Sequence, residues 1–195
     1  MAIGNIPKTK AEVAAFYNGR NGAQGGTPNG AGVTVEASQE GYTKTVLHFN
    51  GTQITLADEA GVVAYGGLKV FDFPAGLILV ASAVADLVVT KTSAGVNADW
   101  DGDFGVGSAA AGNNNALAGT EQNIIPTTPT PQAAAGATTA KGISTGGVQL
   151  DGTATPVDVY LNFLVDDTDH NVTGTPCKLV VNGTLTLVWA LAGDK

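Results

Sequence analysis

A serine flanked by glycines is the first residue whose type and spacing could do chemistry. Gly142-Ile-Ser144-Thr-Gly146 matches the G-x-S-x-G elbow of serine hydrolases, and aspartates and His170 follow it in the order Ser, Asp, His. That elbow requires a buried strand before the serine and a helix after it. The flanking runs "AAAGATTAK" and "GVQLDG" fit neither element. We therefore predict no catalytic residue and no enzyme.

Two acidic segments could bind a cation through carboxylate oxygens. In "NADWDGDFG" the carboxylates alternate, at Asp99, Asp101 and Asp103. Phe104 and Ala110 occupy the positions where an EF-hand loop needs its Gly and its Glu. The second segment, "VDDTDH" at residues 165–170, adds three carboxylates and an imidazole, but His48 is too distant in sequence to supply a two-histidine spacing. We interpret both as solvated turns, predict no metal site, and leave a cation in these loops as an open alternative.

Phosphate and nucleic-acid binding are not predicted. The run "GRNGAQGG" lacks the Lys-Ser/Thr pair of a phosphate-binding loop and follows no strand. The formal net charge is −8, whereas contacts to a phosphate backbone need clustered Lys and Arg. We predict no cofactor, no small-molecule substrate and no nucleic-acid partner.

The composition favours a surface that packs against other chains. Charged residues make up 13% of the chain and glycine 27 of 195 residues, against about 25% charged residues in soluble domains. Thr, Ser, Asn, Gly and Ala must therefore cover the surface. Burying an amide or a hydroxyl costs less than burying a charge, so such a surface suits contact with other subunits.

The most apolar stretch is "FPAGLILVASAVADLVVT", residues 73–90. A helix needs about 20 apolar residues to span a bilayer, and Asp86 interrupts this run, so we predict no membrane span. Its Val, Ile and Leu content favours one or two buried strands over a buried helix. Cys177 is the single cysteine and is expected to be buried. The N-terminal residues do not resemble a signal peptide, which predicts synthesis in a reducing cytoplasm.

Residues 1–32 read as an N-terminal arm. Thr9 and Glu12 fit a capping box that begins a short helix, and a Gly-rich tether follows from Asn18. Over residues 1–30 three basic side chains face one acidic side chain, so the arm is mildly basic on an acidic body. We predict that it contacts a partner through Lys8, Lys10, Phe16, Tyr17 and Arg20.

Residues 33–195 read as an all-β body. Asn50-Gly51 and Asn182-Gly183 each lie between β-rich runs and predict hairpin turns. In "PVDVYLNFLV" the residues alternate, which predicts a half-buried antiparallel strand with Asn162 on its polar face. Eight to ten short strands of this kind favour an antiparallel β-sandwich, with a jelly roll as one form. Trp100 and Trp189 are expected in a core or an interface rather than as platforms for sugars.

Residues 108–147 form a Thr-, Ala- and Pro-rich strap inside this body. Structureless loops of this length are uncommon in compact domains unless they are functional or disordered. The two interpretations are a disordered insertion and an extended chain held against a neighbouring subunit. The apolar side chains favour the second, because water would otherwise surround them. The predicted interface residues of the strap are Ile124, Ile125 and Pro126.

Three stretches resemble the capsid decoration, or cement, proteins of tailed bacteriophages. They are "DEAGVVAYGGLKVFDFPAGLI", "GTEQNIIPTTPTPQAAAGATTAKG" and "VDVYLNFLVDDTDH…CKLVVNGTLTLVW", and the resemblance covers about residues 55–195. It implies a β-sandwich or jelly-roll body, a homotrimer, and binding to the major capsid protein on the outer surface of the virion. It carries over no functional residue. The expected function is to stabilise the phage head by bridging capsid subunits.

Two other functions fit the same sequence. One is a different virion subunit, such as a tail tube or a head fibre, which would polymerise rather than form a soluble trimer. The other is a carbohydrate-binding β-sandwich, which would recognise glycans on an array.

Overall fold

The computed structural model describes residues 27–40, 42–57, 63–112, 115–170 and 176–193. These residues form eleven β-strands and one short 3-10 turn at Gly119–Glu121, without an α-helix. The strands are β1 Thr27–Pro28, β2 Val33–Glu40, β3 Tyr42–Leu56, β4 Ala64–Asp72, β5 Gly76–Lys91, β6 Gly102–Gly107, β7 Ile125–Thr130, β8 Ala137–Ile143, β9 Val148–Gly152, β10 Asp158–Val165 and β11 Cys177–Gly193.

The strands form two antiparallel sheets. Sheet A has the order β1-β4-β10-β6-β7, and sheet B has the order β2-β3-β11-β5-β8, with β9 paired to β5 beyond the end of β8. Apart from the flanking strands β1, β2 and β9, each sheet has four strands. Successive strands alternate between the sheets except for β6 and β7, which both lie in sheet A, and this is the strand order of a jelly roll. The predicted all-β sandwich is confirmed.

The core lies between the two sheets. Its largest fully buried side chains include Trp100 and Trp189, together with four phenylalanines of sheet A and its connections. Trp189 packs edge-on against Phe73 at a centroid distance of 5.2 Å, and its Nε1–H donates to Thr45 Oγ1 at 3.0 Å. Both tryptophans are therefore core residues, because each buried ring has neighbours for its faces and a partner for its N–H.

The two predicted Asn-Gly hairpins are wrong. Asn50-Gly51 lies inside β3, which is 15 residues long, and Asn182-Gly183 lies inside β11, which is 17 residues long. The two pairs face each other across neighbouring strands, where the register shifts between Val181 and Gly183. The Gly51 N–H donates to Asn182 Oδ1 at 2.9 Å. Asn-Gly here makes a β-bulge that bends two long strands together, because glycine accepts a positive φ in a bulge as readily as in a turn.

The apolar stretch at 73–90 forms a strand, as predicted. It supplies the single strand β5, Gly76–Lys91, in which buried and exposed side chains alternate over most of its length. Only its inner face reaches the core. Sheet B therefore contains one long strand with a partly exposed outer face, where the sequence had predicted one or two buried strands.

The strap at 108–147 folds onto its own chain. It supplies the 3-10 turn, the edge strand β7 of sheet A and the edge strand β8 of sheet B. Where the structure describes it, the strap is not a disordered insertion, because its backbone pairs with β6 and β5 of its own chain. Contact of the strap with a neighbouring subunit stays a prediction.

The body begins before residue 33. Thr27 and Pro28 pair with Asp72 and Phe71 of β4, and the Asn29 N–H donates to the Val70 carbonyl at 2.9 Å. The last part of the predicted tether is therefore attached to sheet A. The predicted arm helix lies outside the described residues.

Candidate interaction surfaces

The predicted interface residues fall into three groups. The arm residues Lys8, Lys10, Phe16, Tyr17 and Arg20 lie outside the described part of the chain. Ile124 and Ile125 are 1% and 0% exposed and belong to the core. The argument that water would surround them is therefore wrong, since the first residue of β7 and the residue before it lie in the core of their own sandwich. Pro126, next to them, is half-buried on this edge strand.

The structure separates the serine of the elbow motif from the histidine. Ser144 follows β8, and its backbone and its hydroxyl both bond to Ala83, near the middle of β5. His170 pairs with Val96, beyond the end of β5. Along β5, the eight residue steps from Ala83 to Lys91 alone correspond to about 26 Å at 3.3 Å per residue. β9 follows the serine where the motif requires a helix.

The two acidic segments meet at one end of the sandwich. The Asp166 N–H donates to the Asp101 carbonyl at 3.2 Å, and the Asp101 N–H donates to Asp169 Oδ2 at 2.9 Å. Burial raises the pKa of Asp101, and the neighbouring charges of Asp166 and Asp169 raise it further. Burial and the charge of Asp101 also raise the pKa of Asp103. Sequence distance hid this proximity, because the pairing of β6 with β10 brings the two segments together by placing Gly102 opposite Val165.

The geometry of this acidic end does not make a metal centre. Among the residues that the structure describes, no group of three or more His, Cys, Asp or Glu side chains is arranged to hold a metal ion. The two loops instead bond to each other through their backbones, as where the Asn97 N–H donates to the Asp169 carbonyl at 2.8 Å.

A second polar cluster lies at the opposite end of sheet A. Lys69 Nζ is 2.7 Å from Asp72 Oδ1 and 3.0 Å from Asp158 Oδ1, the Tyr160 hydroxyl donates to Asp158 Oδ2, and Asn29 Nδ2 donates to Asp72 Oδ2. Hydrogen bonds to the two carboxylates raise the pKa of Lys69. Burial pushes the pKa of Asp158 upward, but hydrogen bonds with Asp72 and Lys69 outweigh it and leave this pKa below its ordinary value. The cluster joins the residues before β2 to the sheet.

The middle of the outer face of sheet A is covered by the chain itself, through hydrogen bonds to one buried amide side chain. Asn162 of β10 is 0% exposed. Its Oδ1 accepts from the Ala111 N–H at 2.9 Å, and its Nδ2 donates to the carbonyls of Ala109 at 2.9 Å and Glu121 at 2.7 Å. Asn162, on the predicted polar face of β10, is therefore not solvated, because residues 109–112 and 115–121 lie over it.

Glycines make room for this covering segment. A Cβ at Gly67 on β4 would lie 2.1 Å from Asn162 Oδ1, and one at Gly107 on β6 would lie 2.1 Å from the Thr120 carbonyl. The segment is also held by Glu121, whose carboxylate accepts the N–H groups of Gly112 and Ala118 at 2.7 and 2.8 Å. Sequence reasoning missed this feature. The available signal was glycine inside strands, in "AYGGLKV" and "DFGVG", since glycine there often marks a close backbone approach.

No described segment of the chain lies over the outer face of sheet B. Within the described residues, all the exposed large apolar side chains lie on this sheet: Tyr42, Leu77, Val84, Val88 and Ile143. Val84 has Ile143 as its neighbour on β8 and Thr186 as its neighbour on β11, and Thr186 is in turn opposite Val46 on β3. An uncharged row thus crosses four strands, which is the kind of surface that a binding partner covers.

Comparison with protein-family models, curated proteins and solved structures finds no match to this chain. In the part of the chain that the structure describes, no helix is long and apolar enough to cross a membrane.

Proposed function

We propose that this protein is a capsid decoration protein, which binds the outside of a tailed-phage head and stabilises the shell by bridging capsid subunits. Its partners would be the major capsid protein and other copies of itself, with a homotrimer as the assembly. The observation that carries the proposal is the contrast between the two outer faces: the strap covers the middle of sheet A, whereas no described segment covers the long, weakly charged face of sheet B. The sequence resemblance supports the same function.

The proposed action is mechanical. Packed DNA presses outward on a phage head, and a bridging molecule adds contact area that must be lost before neighbouring subunits separate. A standard protein interface buries about 1,600 Å², and several such contacts act together when one assembly binds more than one subunit. A rigid double sheet suits this action, because its bound faces keep a fixed spacing under load.

Attachment is proposed to use the arm as well as the body. The arm carries Lys8, Lys10 and Arg20 against Glu12, which suits an acidic patch on the shell. Because Asn29 bonds to both Val70 and Asp72, the arm leaves the body at the Lys69 cluster. Removal of residues 1–26 keeps those contacts, whereas removal of residues 1–30 would break them.

The test uses purified protein and heads that lack it, from the phage that encodes this chain. Intact protein is expected to pellet with heads to a saturating ratio and to raise the temperature at which they release DNA. Protein that lacks residues 1–26 is expected to unfold at the same temperature in isolation but to bind heads more weakly. Absence of saturable binding by the intact protein would refute the proposed function. Equal occupancy by both forms would refute the role of the arm alone.

A further inference from the structure

The ribbon formed by β5 and β8 concentrates the exposed apolar surface. Ile143 is 64% exposed, Val88 47% and Val84 43%. The strand register sets these residues out in rows, with Ile143 beside Val84, Lys141 beside Asp86, and Thr139 beside Val88. Leu77, which is 45% exposed, lies on the same side of β5 beyond the end of β8, beside Asp151 of β9. Lys141 and Asp86 are both well exposed and lie 2.9 Å apart.

This pattern is complementary to itself. Consider a two-fold axis that runs along the strands, midway between β5 and β8, in the plane between two sheets packed face to face. A rotation of 180° about this axis leaves each row at the same position along the strands and exchanges the β5 residue with the β8 residue. Ile143 of one copy therefore faces Val84 of the other copy. In the next row Lys141 faces Asp86 of the other copy, and the reciprocal contacts follow from the symmetry.

We propose that a second copy of this chain docks on the β5–β8 ribbon through this two-fold contact. Face-to-face sheets pack with their strands aligned to within about 30°, which the axis along the strands allows. The apolar side chains of Ile143 and Val84 then bury each other, and two intermolecular ion pairs form, to each of which each copy supplies one charge. Within one copy the ion pair of Lys141 and Asp86 contributes little to stability, because both side chains are exposed to solvent. Between two sheets it fixes the register of the contact, because a shift by one row would place each charge opposite an uncharged side chain.

The size of the ribbon makes this a weak contact. From Leu77 to Thr90, where first β9 and then β8 pairs with β5, it runs about 43 Å at 3.3 Å per residue, and two strands with their side chains are about 10 Å wide. The area is about 430 Å² per copy, or roughly half of the 800 Å² that each partner gives to a standard interface. A free dimer should therefore form only at high protein concentration. Copies held close together would form it readily, because their effective concentration is high.

The inference is independent of the proposed virion function. It concerns two copies in solution and needs no phage head for its test. A two-fold contact is also compatible with a trimer formed elsewhere on the surface, because it would join copies that belong to different trimers.

The test uses two opposite charge reversals. Asp86→Lys leaves two lysines on the ribbon, and Lys141→Asp leaves two aspartates. In the two-fold contact either variant alone opposes like charges, whereas a mixture pairs lysines of one copy with aspartates of the other. Sedimentation velocity at low salt and several hundred micromolar protein measures the association. The expected result is association of the wild type and of the mixture, with at least a tenfold loss for each variant alone.

Lys44→Asp is the matched control. It makes the same charge change on the exposed surface of β3, outside the ribbon, and it is expected to associate like the wild type. Unfolding temperatures of all variants establish that each is folded. A mixture that sediments as the average of its parts would overturn the proposal. So would single reversals that associate like the wild type, or a wild type that shows no concentration dependence.

Discussion

Replacement of Asn162 by Ala should release the covering segment from sheet A. Asn162 makes three hydrogen bonds to this segment from a position with no solvent exposure. The alanine removes both donors and the acceptor at once. It leaves the Ala111 N–H and the Ala109 and Glu121 carbonyls without that partner, under residues that keep water out.

The expected loss of stability is about 3 kcal/mol. Each buried hydrogen bond contributes about 0.5–1.5 kcal/mol net, and an unsatisfied buried group adds to the cost. Total stabilities of domains are about 5–15 kcal/mol, so the variant should still fold. With a urea m-value of about 3 kcal/mol/M for a chain of this size, the unfolding midpoint should fall by about 1 M.

The assay is urea unfolding followed by tryptophan fluorescence, with limited proteolysis as a second measurement. Trp100 and Trp189 are both buried and report the loss of the core. Asn123→Ala is the control, because Asn123 is half-buried and its contacts with described residues are two hydrogen bonds to Ser108, also in the strap. We expect the control to lose about 1 kcal/mol. Cleavage between residues 108 and 124 should accelerate in the Asn162 variant well before global unfolding.

An aspartate at position 162 separates hydrogen bonding from volume. It keeps the acceptor for Ala111 but turns a carboxylate oxygen toward two carbonyls, so burial and repulsion should raise its folded-state pKa above the unfolded value of about 3.9. Stability relative to wild type should therefore be highest at about pH 4 or below, and it should fall as the pH rises through the folded pKa. An alanine variant within 0.5 kcal/mol of the control, or an aspartate variant without this pH dependence, would refute the anchoring role of Asn162.

Three further outcomes follow from particular contacts. Gly183→Ala should lower the free energy of unfolding in urea by at least about 3 kcal/mol, since the added Cβ would lie 2.2 Å from a backbone oxygen. Gly51→Ala should lower it by about 1 kcal/mol, because the Cβ would enter open space and only the positive φ is unfavourable. Equal losses would contradict the bulge geometry. Asp101→Asn should raise the unfolding temperature at neutral pH, because the raised pKa means that folding disfavours this carboxylate, and the gain should shrink toward acid pH as the wild-type carboxyl takes up its proton. Lys69→Met should raise the pKa of Asp158 toward its ordinary value, as followed by NMR titration, and an unchanged pKa would remove Lys69 from that network.

The fold class followed from periodicity, but the lengths of the strands did not. Alternation in "PVDVYLNFLV" and the β-branched content of residues 73–90 were sufficient for two strands of the sandwich. Asn-Gly was misread at positions 50 and 182, because the same dipeptide satisfies a two-residue turn and a bulge. Only the neighbouring strand decides between them: here Asn182 Oδ1 accepts from Gly51 N–H, a contact that local sequence does not encode.

The candidate surfaces depended still more on long-range contacts. Ile124 and Ile125 were correctly recognised as needing cover, but sequence alone does not tell whether the cover is the same chain or another. Asn162 had the opposite problem, since a polar residue on an alternating strand normally faces solvent. Its burial results from a segment some 50 residues earlier that crosses glycines on two neighbouring strands.

The position of β11 in sheet B has a consequence for biosynthesis. This strand is the last of the eleven along the chain, yet it lies between β3 and β5 and bonds to both. Trp189 and Thr45, which share a hydrogen bond, are 144 residues apart. β3 and β5 therefore leave the ribosome long before β11, and the backbone N–H and C=O groups that will pair with β11 stay unpaired until it is synthesised. Such late closure slows folding and exposes nascent chains to one another, so yield should depend strongly on the rate of translation and on chaperones that shield unpaired edges.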